Sequence, residues 1–157
     1  MNLTDVAAFV RSLSSIPPEK LAGDPERGRL IYALSACAHC HILDGEGVGI
    51  GPDLTGIEAR RGAAQIRATF IDPSKTIPHG FLLIETVTSA GKTIRGIRLN
   101  EDTFTIQIKD LRGSIHSFRK TELTQLKKLR NETTMPSFGA TLSASELDDL
   151  VAYLASR

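Results

Sequence analysis

Five consecutive residues, Cys37-Ala38-His39-Cys40-His41, constrain this chain more than anything else in it. Two thiols three positions apart, with a histidine directly after the second, form the C-x-x-C-H pattern by which a c-type haem is attached. Each thiol can add to one vinyl group of the haem, and the histidine is then placed to bind the iron. A C-x-x-C pair can also be a redox dithiol or half of a zinc site. A structural zinc site takes four ligands. Here both cysteines of the chain lie inside the pentapeptide, and His79 and His116 are isolated. A thioredoxin-like dithiol would follow a strand, whereas this pair follows a predicted helix. The pentapeptide therefore reads as a site for haem c, covalent and one per chain.

A length of 157 residues allows one domain with a core, or one domain plus an insertion. The formal charge of +1 implies no general attraction to nucleic acid. No apolar run approaches the roughly 18 residues of a membrane helix. Trp is absent and aromatics make up 5% of the chain, a shortage that a large apolar macrocycle at the centre would explain. The segment Met1 to Val6 has neither the basic start nor the apolar run of a leader. Covalent haem attachment takes place outside the bacterial cytoplasm, so a periplasmic or otherwise exported location is expected. Either a leader has been removed or the chain is a piece of a longer protein.

The first residues bear on that choice. Leu3 to Ser12 aligns without gaps on Leu147 to Ser156, with Leu, Asp, Ala and Ser coinciding and Phe9 opposite Tyr153. Both stretches are amphipathic and could be generic helices. The sharper expectation makes residues 1–19 a helix plus linker, the tail of a preceding similar domain, and residues 20–157 the domain proper.

Asp24 as N-cap and Pro25 at the first position open a predicted helix over about 25–37, with Leu30, Ile31 and Leu34 on one face. After the pentapeptide comes a glycine-rich loop, Gly45 to Pro52, suited to backbone passing close to a flat ligand. A short helix is predicted at 63–71, ending before Pro73. From about 81 to 118 the period changes to two, with turns at Ser89–Lys92, Asn100–Asp102 and Arg112-Gly113. This predicts four antiparallel strands in a meander. A helical piece is expected over Glu122–Leu129. The final helix opens with a capping box, Ser143 and Glu146, and buries Leu147, Leu150, Val151 and Leu154.

With His41 as one axial ligand, the other must come from a distant position. Met135 is the only methionine besides Met1, and it sits in Met135-Pro136 on a loop before the last helix. A thioether is a soft, neutral ligand, and Met/His ligation raises the reduction potential. The bland alternative is a core-filling methionine. His79, in Pro78-His79-Gly80, is the rival ligand. His116 reads as a strand residue facing solvent.

Together these residues resemble a class I cytochrome c domain over about 20–79 and 130–157. The likeness rests on Gly28 with Tyr32, Cys37-x-x-Cys40-His41, Gly51-Pro52-Asp53-Leu54, Met135-Pro136 and Tyr153. It implies a mainly α fold, with three to four core helices around the haem and close crossing of the first and last helices at Gly28. It further implies that Pro52 offers its carbonyl to Nδ1–H of His41 and fixes its tautomer. Arg60 or Arg61 could pair with a haem propionate, or be ordinary loop arginines. The inserted small antiparallel sheet of about four strands, over 80–122, departs from a minimal cytochrome. It resembles the haem-binding domain of planctomycete and verrucomicrobial proteins, often fused to dehydrogenase-like chains.

The implied function is electron transfer, with redox partner proteins, an associated or fused dehydrogenase among them, and no substrate chemistry of its own. The alternative is a haem enzyme or a gas- or peroxide-responsive module with a displaceable sixth ligand, served by His79 or His116. Between Lys92 and Arg130 ten basic residues face four acidic ones. That excess is either a docking face for an acidic partner or an ordinary solvated surface.

Overall fold

A computed structural model describes residues 2–13 and 21–157. The expected linker over Ser14 to Lys20 lies outside the described residues. The first helix, α1 (Leu3–Leu13), is capped reciprocally by Asn2 and Asp5. Its Leu3, Phe9 and Val10 are exposed.

The helical core is built on one crossing. Helix α2 (Pro25–Leu34) starts where Asp24 accepts hydrogen bonds from the N–H groups of Glu26 and Arg27, with Pro25 at its first position. It crosses α5 (Ala144–Ala155), the last helix, at Gly28. A Cβ at Gly28 would fall on the carbonyl oxygen of Asp149 and 2.7 Å from Cβ of Tyr153, so only glycine allows this approach. Beside the crossing the rings of Tyr32 and Tyr153 stand 5.5 Å apart. Buried Asp149 accepts from the backbone N–H of Asp24 at 2.7 Å and from the Arg27 guanidinium at 2.8 and 3.0 Å. Those bonds, first of all Arg27, hold its carboxyl below the usual carboxylate range. The capping box of Ser143 and Glu146 forms, and Leu147, Leu150 and Leu154 are buried. Burying each leucine contributes about 1.5–3 kcal/mol.

Two short strands, β1 (Ile42–Leu43) and β2 (Glu46–Gly47), follow the pentapeptide as a tight antiparallel pair. Then come α3 (Ile57–Arg60) and α4 (Ala63–Ile71). The predicted helix at 63–71 and the final helix are found where expected. Helix α2, expected to run to about 37, stops at Leu34, before the pentapeptide, and Ala36 takes a left-handed φ of 55°.

The expectation of a mainly α fold with a small insert of about four strands is corrected. Among the described residues there are five helices, and also a five-stranded antiparallel sheet larger than the one expected. Its strands are β3 (Leu83–Thr88), β4 (Thr93–Glu101), β5 (Thr105–Asp110), β6 (Ile115–Arg119) and β7 (Leu123–Leu129), in the order β6-β5-β4-β3-β7. The fifth strand is the segment expected to be helical. Leu123, Leu126 and Leu129 recur every third residue, as on a helix, but β7 is an edge strand that uses both faces. Leu126 joins the apolar cluster on one side of the sheet and Leu129 the cluster on the other. A register shift at Val87/Thr88 brings Leu123 to the same side as Leu126.

One side of the sheet closes on its own side chains, with Ile84, Ile94, Ile106 and Ile108 at the centre. Glu101, at the end of β4, ties the sheet together. Its carboxylate meets Lys128 of β7 at 2.8 Å, Lys120 beyond β6 at 2.9 Å and Arg98 at 3.0 Å. The hydrogen bond from Lys128, then those from Lys120 and Arg98, bring its pKa down to about 2. A carboxyl depressed in the folded state stabilises at pH above its unfolded value and loses that effect as pH falls through the folded one. The Glu101 contribution should therefore be complete above about pH 4.5 and fade towards pH 2. Glu101→Gln should cost about 1–2 kcal/mol at neutral pH in denaturant unfolding. The difference from the parent should shrink as the acid limb is reached.

Candidate functional site

The left-handed turn at Ala36 swings the chain out of α2 into a single 3₁₀ turn, Cys37–His39. There the N–H groups of Cys40 and His41 donate to the carbonyl of Cys37 at 3.1 and 2.9 Å. Cys37, Cys40 and His41 consequently face one cavity of about 360 Å³. Pro52, Met135, Arg60 and Arg61 line the same cavity, together with Tyr32, Phe70 and Phe138.

His41 is held by the glycine-rich loop. Its Nδ1 lies 2.7 Å from the carbonyl oxygen of Pro52, which can only accept. The ring proton is therefore on Nδ1 and the lone pair on Nε2. Burial lowers the pKa of the imidazole and so favours the neutral ring, while the bond to Pro52 acts in the opposite direction. Gly51 N–H donates to the carbonyl of Cys40 at 2.6 Å. A Cβ at Gly51 would stand 2.7 Å from Cε1 and 2.8 Å from Nδ1 of His41. No disulfide joins Cys37 and Cys40, and burial pushes the Cys37 thiol up to about 11.

Across the cavity, the loop carrying Met135 is fastened to α4. Phe138 N–H donates to the carbonyl of Phe70 at 2.8 Å, and Ser137 Oγ to that of Ile71 at 2.6 Å. The rings of Phe70 and Phe138 meet edge to face at 6.1 Å. Met135 itself is half-buried against the helical core. Arg60 spends its guanidinium on the carbonyls of Asp53 and Thr55, both at 2.7 Å.

His79 is exposed and is not among the residues lining the cavity. His116 lies on β6, with Nε2 2.7 Å from Asp110 and its ring stacked on Phe118. Of the ten basic residues between Lys92 and Arg130, Arg95, Arg98, Lys120, Lys127 and Lys128 sit in ion pairs. Lys109 is bonded to backbone carbonyls. Much of the local positive charge is thus used within the fold.

The cavity wall also contains residues that sequence reasoning missed: Ile50, Phe81 and Ile97. Phe81 opens, and Ile97 belongs to, the strand-rich region expected to be an appendage. A signal existed. Phe81-Leu82-Leu83-Ile84 is an unbroken apolar run, and both Leu83 and Ile84 are fully buried, one on each side of the sheet.

These residues fit a covalent haem. The two thiols and a neutral imidazole share the cavity, and a thioether lines it too. Glycine clears the space beside the imidazole. The Tyr32 hydroxyl, buried at the cavity, has no hydrogen-bond partner among the described residues. Among the described residues no group of three or more His, Cys, Asp or Glu side chains is placed to hold a metal ion, as zinc would need.

The family model described as Cytochrome c matches residues 25–102. The match supports a c-type cytochrome domain. Such domains carry haem covalently and transfer electrons with redox partners, and Cys37 and Cys40 stand at the required spacing. No curated protein matches the chain. The cytochrome match ends beyond β4, so it covers the pentapeptide and the glycine-rich loop but neither Met135 nor α5. Among the described residues no helix is long and apolar enough to cross a membrane.

The tight fit at Gly51 gives a direct check on the histidine cradle. Gly51→Ala should cost about 1–3 kcal/mol in denaturant unfolding of the cytochrome, because either the loop or the ring must move. Nuclear magnetic resonance of His41 should show its Nδ1–H signal displaced or lost to exchange.

Proposed function

We propose that this cytochrome domain is a one-electron carrier whose haem is anchored by Cys37 and Cys40 and ligated by His41 and Met135. The observation that carries the reading is the meeting of four side chains on one cavity: two thiols, an imidazole whose Nδ1 is bonded to Pro52, and the thioether of Met135. Haem bound there supplies the iron couple that takes up and gives back a single electron. The protein's own part is to hold and shield. Pro52 keeps the proton of His41 on Nδ1 and orients the ring. The Phe70–Phe138 pair and the bond from Ser137 to Ile71 hold the methionine loop. The apolar wall of Ile50, Phe81 and Ile97 excludes water, and Met/His ligation in such surroundings favours ferrous iron.

A periplasmic or otherwise exported location belongs to the same proposal, because the thiols have to meet haem outside the cytoplasm. So does a place in a larger assembly with a dehydrogenase. Helix α1 repeats in order the residues with which α5 grips α2: Asp5 stands where Asp149 does, and Phe9 where Tyr153 does. Val6 and Val10 replace Leu150 and Leu154. We read residues 1–19 as the closing helix and linker of a preceding cytochrome-like domain. A second C-x-x-C-H upstream in the full gene is the expected finding, and a leader directly upstream would contradict it.

Visible spectroscopy of the chain produced with haem maturation tests the central reading. Sharp ferrous bands and a weak near-infrared ferric band are expected, with haem retained after acid–acetone extraction. Cys37→Ala together with Cys40→Ala should abolish that retention. Met135→Ala should remove the near-infrared band, give high-spin ferric spectra and lower the reduction potential. A parent protein already high-spin, and unaffected by Met135→Ala, would favour the open-site alternative. No Soret band at all would end the haem reading.

A further inference from the structure

The cavity-side face of the sheet carries one row of side chains across all five strands. In register it reads Leu129, Leu83, Ile97, Lys109 and Ile115. Leu129, Leu83 and Ile97 pack on Ile50 of the glycine-rich loop. Lys109, next in the row, extends Nζ to the carbonyl oxygens of Val48 and Gly49, at 3.2 and 3.0 Å. The two residues that follow Ile50 then touch the haem-binding segment. Gly51 donates to the carbonyl of Cys40 at 2.6 Å, and Pro52 accepts from His41 Nδ1 at 2.7 Å.

This loop has little stiffness of its own. Gly45, Gly47 and Gly49 all take positive φ, and Gly51 adds a fourth glycine. Backbone of this kind loses the most freedom when it is ordered, so its position depends on outside anchors. Burial of Ile50 is non-directional. The two bonds from the Lys109 ammonium are directional and charge-assisted, and they fix both carbonyls at once.

We propose that Lys109 is a positioning residue for the axial histidine. By holding the Val48 and Gly49 carbonyls from the sheet, it sets where Pro52 meets His41, and so fixes the orientation of the ring that faces the iron. This rests on the haem-binding reading above and gives the sheet a role in it. The sheet grips the histidine side of the cavity through a lysine that is not among the residues lining it.

The test uses the full haem-loaded chain. Exchange of the His41 Nδ1–H with deuterium is followed by nuclear magnetic resonance in the ferrous state, beside amide exchange in α5. Lys109→Met is compared with Lys109→Arg, which keeps donors and charge, and with Lys92→Met, the same charge change at an exposed turn. The Nδ1–H should exchange about tenfold faster in Lys109→Met, with α5 amides unchanged. In Lys109→Arg and Lys92→Met it should stay within about twofold of the parent. Equal rates in folded Lys109→Met and Lys92→Met, both with a Soret band, would overturn the proposal. Should Lys109→Met not accumulate as folded protein, Lys109→Gln, with one amide donor left, takes its place. A rate above the parent's then supports the proposal, and the parent's rate overturns it. A parent lacking a Soret band is recognised before any exchange is measured, and it overturns the haem reading and this proposal together.

Discussion

Helices α2 and α5 cross within the width of a glycine, and the pentapeptide's place in the site depends on that crossing. Gly28 lets the backbone carbonyl of Asp149 come where a side chain would otherwise be. Once the helices are that close, Asp149 can cap the start of α2 and hold Arg27 while Tyr32 and Tyr153 pack beside the contact. The end of α2 is then fixed, and with it the turn at Ala36 that aims Cys37, Cys40 and His41 into one cavity. Adding a single carbon at residue 28 would disturb each of these steps in turn.

The sheet is the second support. Its inner side makes a core of its own, and its outer side presses on the glycine-rich loop through Leu83, Ile97 and Ile50. The cavity is therefore walled by helices on some sides and by strands on another. A loop with four glycines would wander if it were anchored only by its ends. Here the sheet supplies its depth through burial and its register through directed hydrogen bonds.

Much of the helical half was legible in the sequence because its signals are local. An N-cap followed by proline, a capping box and a stripe of leucines each specify structure within a few residues of themselves. The pentapeptide is local as well, and the match to cytochrome c over residues 25–102 includes it. What failed was β7. Its three leucines imitate helical spacing because an edge strand with a register shift shows apolar residues to both sides. The contribution of Phe81, Ile97 and Lys109 to the site could not be read from spacing. It depends on which side of the sheet meets a loop more than thirty residues earlier. Met135 lines the same cavity as the pentapeptide, and its loop is set there by bonds to α4 that no local pattern announces.

The crossing joins Asp24 to Asp149, 125 positions apart, whereas four of the five strands follow one another in the sheet by nearest-neighbour hairpins. Closing so long a loop directly is entropically unfavourable, by a cost that grows with the logarithm of its length. Strands β3 to β6 can form among themselves first, since their contacts are short in sequence, and β7 then returns to β3 over a span well short of that between Asp24 and Asp149. Once formed, they draw Ile71 and Ser137, which are bonded to each other, towards one point, and so shorten the path from α4 to α5. The sheet would thus serve assembly as well as shape: a prefolded unit that carries α5 back to α2 before any ligand is needed to hold them together.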